Sequence, residues 1–312
     1  MKYLMQFILL IFLDIRCADH AAEFASGGSI AYVNRDGTIN HIYLMDLDEN
    51  RHGINQRRLT VNSENEDYPS WSPDGTMIAF QLSKDGSGIY VVNVDGTGLR
   101  RLSPTPGFDA TPSWSPDGTK IIYIRVINPG APNVMPKTEI RVMGIDGLDD
   151  HIILAGTDFS VEPRWSVNNQ IVFMGYRDGN MHILTMNTDG SNLQQLTMAA
   201  NNGDPVWSGD GTKISFGSDR EGSNKLNIYT MNADGSSVQQ ITHFDVPYES
   251  GDTSWSSDGT RIAFEWDING KKQSDPDAYA EVWIVGVDGS NASSTLQRCS
   301  GVGCAPRWRP VK

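Results

Sequence analysis

Trp71-Ser72-Pro73-Asp74-Gly75-Thr76 returns as Trp114-Ser115-Pro116-Asp117-Gly118-Thr119. Weaker copies follow as WSVNN from Trp165, WSGDGT from Trp207, WSSDGT from Trp255 and a terminal WRP at Trp308. These six tryptophans stand 43, 51, 42, 48 and 53 residues apart. A period of about 40–50 residues marks a solenoid, a propeller or another array, in which no unit buries its apolar surface alone. In the cleanest unit, Asp67 to Ser103, four short segments read as strands. Pro69 to Ser72 runs into a Pro-Asp-Gly turn, where Pro presets φ and Gly accepts positive φ. Met77 to Gln81 (MIAFQ) is apolar and β-prone, Ile89 to Val94 (IYVVNV) ends at the Asp95-Gly96 hairpin signal, and Leu99 to Ser103 closes the unit. Helical spacing of apolar residues is absent. Four antiparallel strands per repeat describe a propeller blade.

The chain ends complete the count. Ser29 to Val33, Ile42 to Asp46 and Gln56 to Thr60 read as strands two to four of a blade with no Trp strand before them. Ala305 to Arg309 is a Trp strand with no blade after it. Joined, they form one blade, and the ring closes by pairing the chain ends, which removes exposed sheet edges. The expected fold is all-β: a six-bladed β-propeller of four-stranded blades, closed by pairing the C-terminal Trp strand with the N-terminal blade. The expected division is a leader over residues 1–22 and a single propeller over 23–312.

Composition narrows the partners. Lys and Arg number 25 against 38 Asp and Glu, for a net charge of −13. That balance argues against nucleic acid and favours cationic or neutral ligands. Met1 to Leu13 (MKYLMQFILLIFL) has the layout of a secretory signal and is too short to span a membrane, so a periplasmic or secreted protein without a transmembrane span is expected. Cys17 follows the apolar run, but Asp14-Ile15-Arg16 lacks the small residue that a lipidation site carries. Cys299 and Cys304 lie five residues apart before the closing Trp strand; in an oxidising compartment they can pair and staple the closure, and otherwise they are two free thiols.

The repeat D-x-P-x-W-S-P-D-G-T-x-I-A-F…I-Y-x-M-N-x-D-G-S-x-x-x-x-L-T resembles the WD40-like, or PD40, repeat of the TolB β-propeller family. DYPSWSPDGTMIAF with IYVVNVDGTGLRRLS in blade two, and DPVWSGDGTKISF with NIYTMNADGSSVQQIT in blade five, carry it best. The resemblance covers nearly all the chain after the leader and implies a free-standing TolB-like propeller without the α/β domain that TolB carries before its own. It also implies a partner such as a peptidoglycan-associated lipoprotein or another cell-envelope complex. Similar propellers accompany prolyl-oligopeptidase-type peptidases, but no G-x-S-x-G nucleophile elbow occurs here. Fold does not fix function, so the residues must be weighed themselves.

Propeller geometry puts the first strand of each blade around a central channel. Just ahead of the tryptophans stand Asp67, Asp109, Glu162, Asp204 and Asp252, so five of six blades send a carboxylate toward one channel mouth. Two long insertions, Ile127 to Lys137 and Asp267 to Ala280, belong to opposite blades and rise on that same face. The functional reading is an acidic pocket for a protein or peptide with a basic segment, or for a cation such as Ca²⁺, since clustered carboxylates repel until one binds. The structural alternative is that each acid hydrogen-bonds backbone in its inter-blade loop. Asp46-x-Asp48-x-Asn50 begins like a Ca²⁺ loop, but Arg51 replaces the required Gly, and it reads as a turn. His41, His52, His151, His182 and His243 show no ligand spacing, and blade packing explains the tryptophans. A non-catalytic binding module is therefore the leading expectation. A metal-dependent propeller enzyme of lyase or lactonase type, with the channel acids as ligands, is the alternative, and an inert structural propeller is the third reading.

Overall fold

In the computed structural model, residues 28–310 are described apart from 85, 105–106, 129–135, 157–158, 223–225, 245–249, 267–278 and 301–303. The leader, Cys17 and most of both insertions lie outside the described residues. Six four-stranded antiparallel sheets follow one another, and no helix occurs among the described residues. Blade two runs Glu66–Trp71, Met77–Leu82, Gly88–Asn93 and Arg100–Arg101 from the channel outward. Blades three to six repeat this order with inner strands Asp109–Trp114, Ser160–Trp165, Asn202–Trp207 and Ser250–Trp255. In blade one the inner strand is Arg307–Trp308, paired antiparallel with Ser29–Asp36 from the other chain end. The Sγ atoms of Cys299 and Cys304, just before it, are joined as a disulfide.

The core lies between blades. Ala31, Ile42, Leu44 and Leu59 of blade one pack with Trp71, Ile78 and Phe80 of blade two. The other face of blade one, with Ile30, Tyr32 and Met45, packs against Val282 and Ile284 of blade six. Both faces of a blade are thus buried, and the second strands read as unbroken apolar runs rather than alternating ones. The tryptophans join these cores, and several also bond to the preceding blade: Trp71 Nε1 donates to the Arg307 carbonyl at 2.9 Å, Trp114 to Ser70 at 3.0 Å and Trp207 to Arg164 at 3.2 Å, while Trp165 Nε1 has no partner. A residue that fills the gap and satisfies a backbone acceptor in the neighbouring inner strand has reason to recur once per blade.

The turn after each tryptophan is fixed by its own side chains. Ser72 Oγ donates to Asp74 Oδ1 at 2.6 Å and accepts from the Met77 amide at 2.9 Å, while Asp74 also receives the Thr76 amide at 3.1 Å. Hydrogen bonds from the serine before all hold Asp117, Asp210 and Asp258 below the usual carboxylate range. In blade four, where the sequence is WSVNN, Asn169 (φ 57°) takes the left-handed place of the glycine. The second Asp-Gly turn does more. Gly96 has φ 86°, and a Cβ there would stand 2.8 Å from the Leu59 carbonyl of the preceding blade. Gly147, Gly235 and Gly289 meet the preceding blade in the same way. The glycine serves both the turn and the close approach of neighbouring sheets.

Candidate functional site at the channel mouth

Each inner strand of blades two to six carries a register shift three residues before its tryptophan. The residues there, Tyr68, Thr111, Glu162, Asp204 and Asp252, all have φ between 51° and 54°, and Ala305 of blade one has φ 39°. A β-bulge at this point bends the strand and re-aims one side chain. Only three of the six positions hold an acid, and those three, in blades four to six, come together: one carboxylate oxygen from each of Glu162, Asp204 and Asp252 lies within 4.8 Å of the others. Gly251 makes room for the group, because a Cβ on it would fall 2.3 Å from Asp204 Oδ2.

The other two acids ahead of the tryptophans stand at different registers. Asp67, four residues before Trp71, lines the same cavity and accepts from Asn40 Nδ2 at 2.8 Å. Asp109, five before Trp114, is fully buried and takes both ends of the Arg125 guanidinium at 2.7 and 2.9 Å. It is tied into the blade and does not face the mouth. At the corresponding place in blade two stands Glu66, which sequence reasoning passed over. It is fully buried, accepts from the Ile42 amide at 2.9 Å and takes hydrogen bonds from Thr60 and Asn62. Beside it His41, 2 % exposed, has its pKa pulled down by burial and by Arg58. Position five before the tryptophan thus holds a structural tie, across blades for Glu66 and within the blade for Asp109, and position three faces the channel.

Two arginines that the sequence reading also missed lie two residues further along the inner strands of opposite blades. Arg307 Nη2 pairs with Asp252 Oδ1 at 2.9 Å, and Arg164 Nη2 stands 3.9 Å from Glu162 Oε2. Burial, and then Arg307 across the channel, bring the Arg164 pKa down to about 10. The signal was present as the repeated Pro-Arg-Trp at 163–165 and 306–308. Burial first, and then the neighbouring carboxylates Glu162 and Asp252, hold the Asp204 carboxyl well above its ordinary value. Glu162 is raised by burial and by Asp252, and Asp67 chiefly by burial.

Above these groups opens a cavity of about 470 Å³ whose walls include Tyr68, Met174, Met181 and Leu226. Its chemistry is an acidic patch set among apolar side chains, ringed by the starts of the inner strands. Among the described residues no histidine joins the acidic trio.

The TolB beta propeller domain model, PD40, matches residues 22–135 and 126–273. Among curated proteins no relative of the sequence matches. TolB from Acinetobacter baumannii superposes with a TM-score of 0.73 at 20 % identity, over 91 % of this chain and 67 % of that one. A protein designated TolB from Agrobacterium tumefaciens gives 0.68 at 22 %, over 91 % and 99 % of the two chains. An oligogalacturonate lyase in complex with manganese gives 0.57 at 17 %, over 86 % and 73 %. At these identities the structural likenesses speak for the fold, while the domain match covers most of the sequence: the chain belongs to the PD40 family of TolB beta-propeller domains.

Proposed function

We propose that this propeller is a non-catalytic binding module of the cell envelope, exported by its leader, that docks a basic protein or peptide segment at its channel mouth. The observation that carries this reading is the open cavity in which Glu162, Asp204 and Asp252 converge beneath apolar walls. A concave site with few convergent polar groups is the usual form of a ligand pocket, and the −13 charge of the chain draws cationic partners toward it. The leader pattern, the Cys299–Cys304 bond and the likeness to TolB support an envelope setting. No helix among the described residues is long and apolar enough to cross a membrane.

The likeness to a manganese-bound lyase raises a second reading, a metal-dependent enzyme. The residues fit that group poorly. A hard divalent ion gathers six or more oxygens, whereas here Arg307 already holds Asp252 and Arg164 flanks Glu162, so two cations share the acids' field. The binding reading is tested by random-peptide display on the immobilised protein, counter-selected with a Glu162→Gln/Asp204→Asn variant. Recovery of basic peptides that the variant does not retain supports it. A peptide pool indifferent to those two acids overturns it.

A further inference from the structure

We infer that the mouth cavity is built for one primary alkylammonium, the side chain of a single lysine in the docked segment; this rests on the binding reading above and specifies its anchor. Three observations converge. Glu162 is 7 % exposed and lines the cavity, and its Oε2, 3.9 Å from Arg164 Nη2, has no hydrogen-bond partner, so a ligand donor can supply one. The –NH₃⁺ group offers three donors, and three acceptors held around one such nitrogen stand up to about 4.6 Å apart. The Glu162, Asp204 and Asp252 oxygens lie within 4.8 Å of one another, close to that spacing.

Charge favours a cation. Glu162, Asp204 and Asp252, with Asp67 and Glu265 also on the cavity wall, outnumber the guanidiniums of Arg164 and Arg307 beside the trio. An entering ammonium displaces the proton that burial and the neighbouring carboxylates hold on Asp204. The two guanidiniums already occupy part of the trio, which leaves a divalent ion too few free oxygens. The walls select the stem: Met174, Met181, Leu226 and Tyr68 supply apolar surface beside the acids, as a buried tetramethylene chain requires. A guanidinium, planar and forked, suits bidentate carboxylates better than three converging single oxygens.

The test uses the purified protein with ¹³C-methyl methionine and follows the Met174 and Met181 methyl resonances during titration with N-acetyl-lysine methylamide. Saturable shifts of both methyls are expected, with affinity at least tenfold weaker for the norleucine and arginine analogues and in Asp204→Asn. Asp109→Asn, whose carboxylate is tied to Arg125 away from the cavity, is expected to retain the affinity once confirmed folded and serves as the control. Absence of saturable shifts, equal binding of the norleucine analogue, or displacement of the lysine probe by low Ca²⁺ or Mn²⁺ would each overturn the inference. The peptide display separates this from the parent reading. Mouth-dependent peptides without an essential lysine would leave a binding module standing and remove the lysine anchor. Lysine-dependent peptides that bind elsewhere would overturn the parent reading and the anchor together.

Discussion

Asp109 and Asp204 both precede a repeat tryptophan, yet neutralising them should move stability in opposite directions. Asp109 is fully buried and holds Arg125 by two charge-assisted bonds of 2.7 and 2.9 Å. Breaking a buried pair costs about 3–5 kcal/mol when the remaining charge cannot reach water. Arg125 keeps 19 % of its side chain exposed and can turn outward, so Asp109→Asn should cost about 2–3 kcal/mol. For a chain of this size that lowers Tm by roughly 5 °C. Asp204 instead sits with two other carboxylates within 4.8 Å, where one like-charge pair repels by about 3 kcal/mol at an effective dielectric near 20. Arg164, Arg307 and a retained proton offset most of this, so Asp204→Asn should gain about 1 kcal/mol and raise Tm by roughly 2 °C. The pH dependence gives the sign a second check. Asp204 and Glu162 have native pKa values above their unfolded ones. Their contribution to stability is therefore full below the ordinary carboxylate pKa and is lost as pH rises toward the native values. The advantage of Asp204→Asn should accordingly be absent near pH 4 and appear on approach to neutrality. Scanning calorimetry of both variants across that range is the assay. If Asp109→Asn is neutral, or Asp204→Asn is destabilising at neutral pH, the division into tie and site is refuted.

Further outcomes follow from other contacts. Gly96→Ala combines a φ of 86° with a Cβ 2.8 Å from the Leu59 carbonyl, and should cost about 2–3 kcal/mol in urea unfolding; Gly37→Ala, at φ 65° with nothing within 4 Å, should cost less. Reduction of the Cys299–Cys304 bond, whose partners are five residues apart, should remove about 2 kcal/mol, measured as the fall in Tm on adding dithiothreitol. Binding of a basic peptide should strengthen as pH rises through the raised Asp204 and Glu162 values, because the ligand displaces their protons, with Asp67, Asp252, Glu265, Arg164 and Arg307 as the other charges facing the site. Isothermal titration at several pH values reads this directly, and an affinity that weakens over that range would contradict it.

The blade count and turn chemistry were legible because they depend on local rules. Tryptophan spacing, Pro-Asp-Gly and Asn-x-Asp-Gly each state a turn or a packing need that few other residues meet. The site was legible only in part, for a reason of register. Side chains alternate faces along a strand, so a slip of one residue changes which side they meet. Asp67, Asp109 and Glu162 stand four, five and three residues before their tryptophans; the bulge brings the last register into the trio, Asp67 lines the cavity beside it, and Asp109 is held by Arg125 within its blade. A bulge has no sequence mark as strong as a turn's: Tyr68, Thr111, Glu162, Asp204 and Asp252 share a backbone conformation and little chemistry. The arginines were readable in Pro-Arg-Trp, but Arg307 meets Asp252 because ring closure sets blade one beside blade six, and a linear chain hides that adjacency.

The central claim is that the channel mouth binds a cationic segment through the trio of acids. The most direct measurement is the dissociation constant of a display-selected basic peptide for the wild type, Glu162→Gln/Asp204→Asn and Asp109→Asn, each confirmed folded by circular dichroism. The account predicts a loss of affinity of at least tenfold in the double variant, about 1.4 kcal/mol or more, and none in folded Asp109→Asn. Equal affinity in all three proteins would place the ligand elsewhere and contradict it.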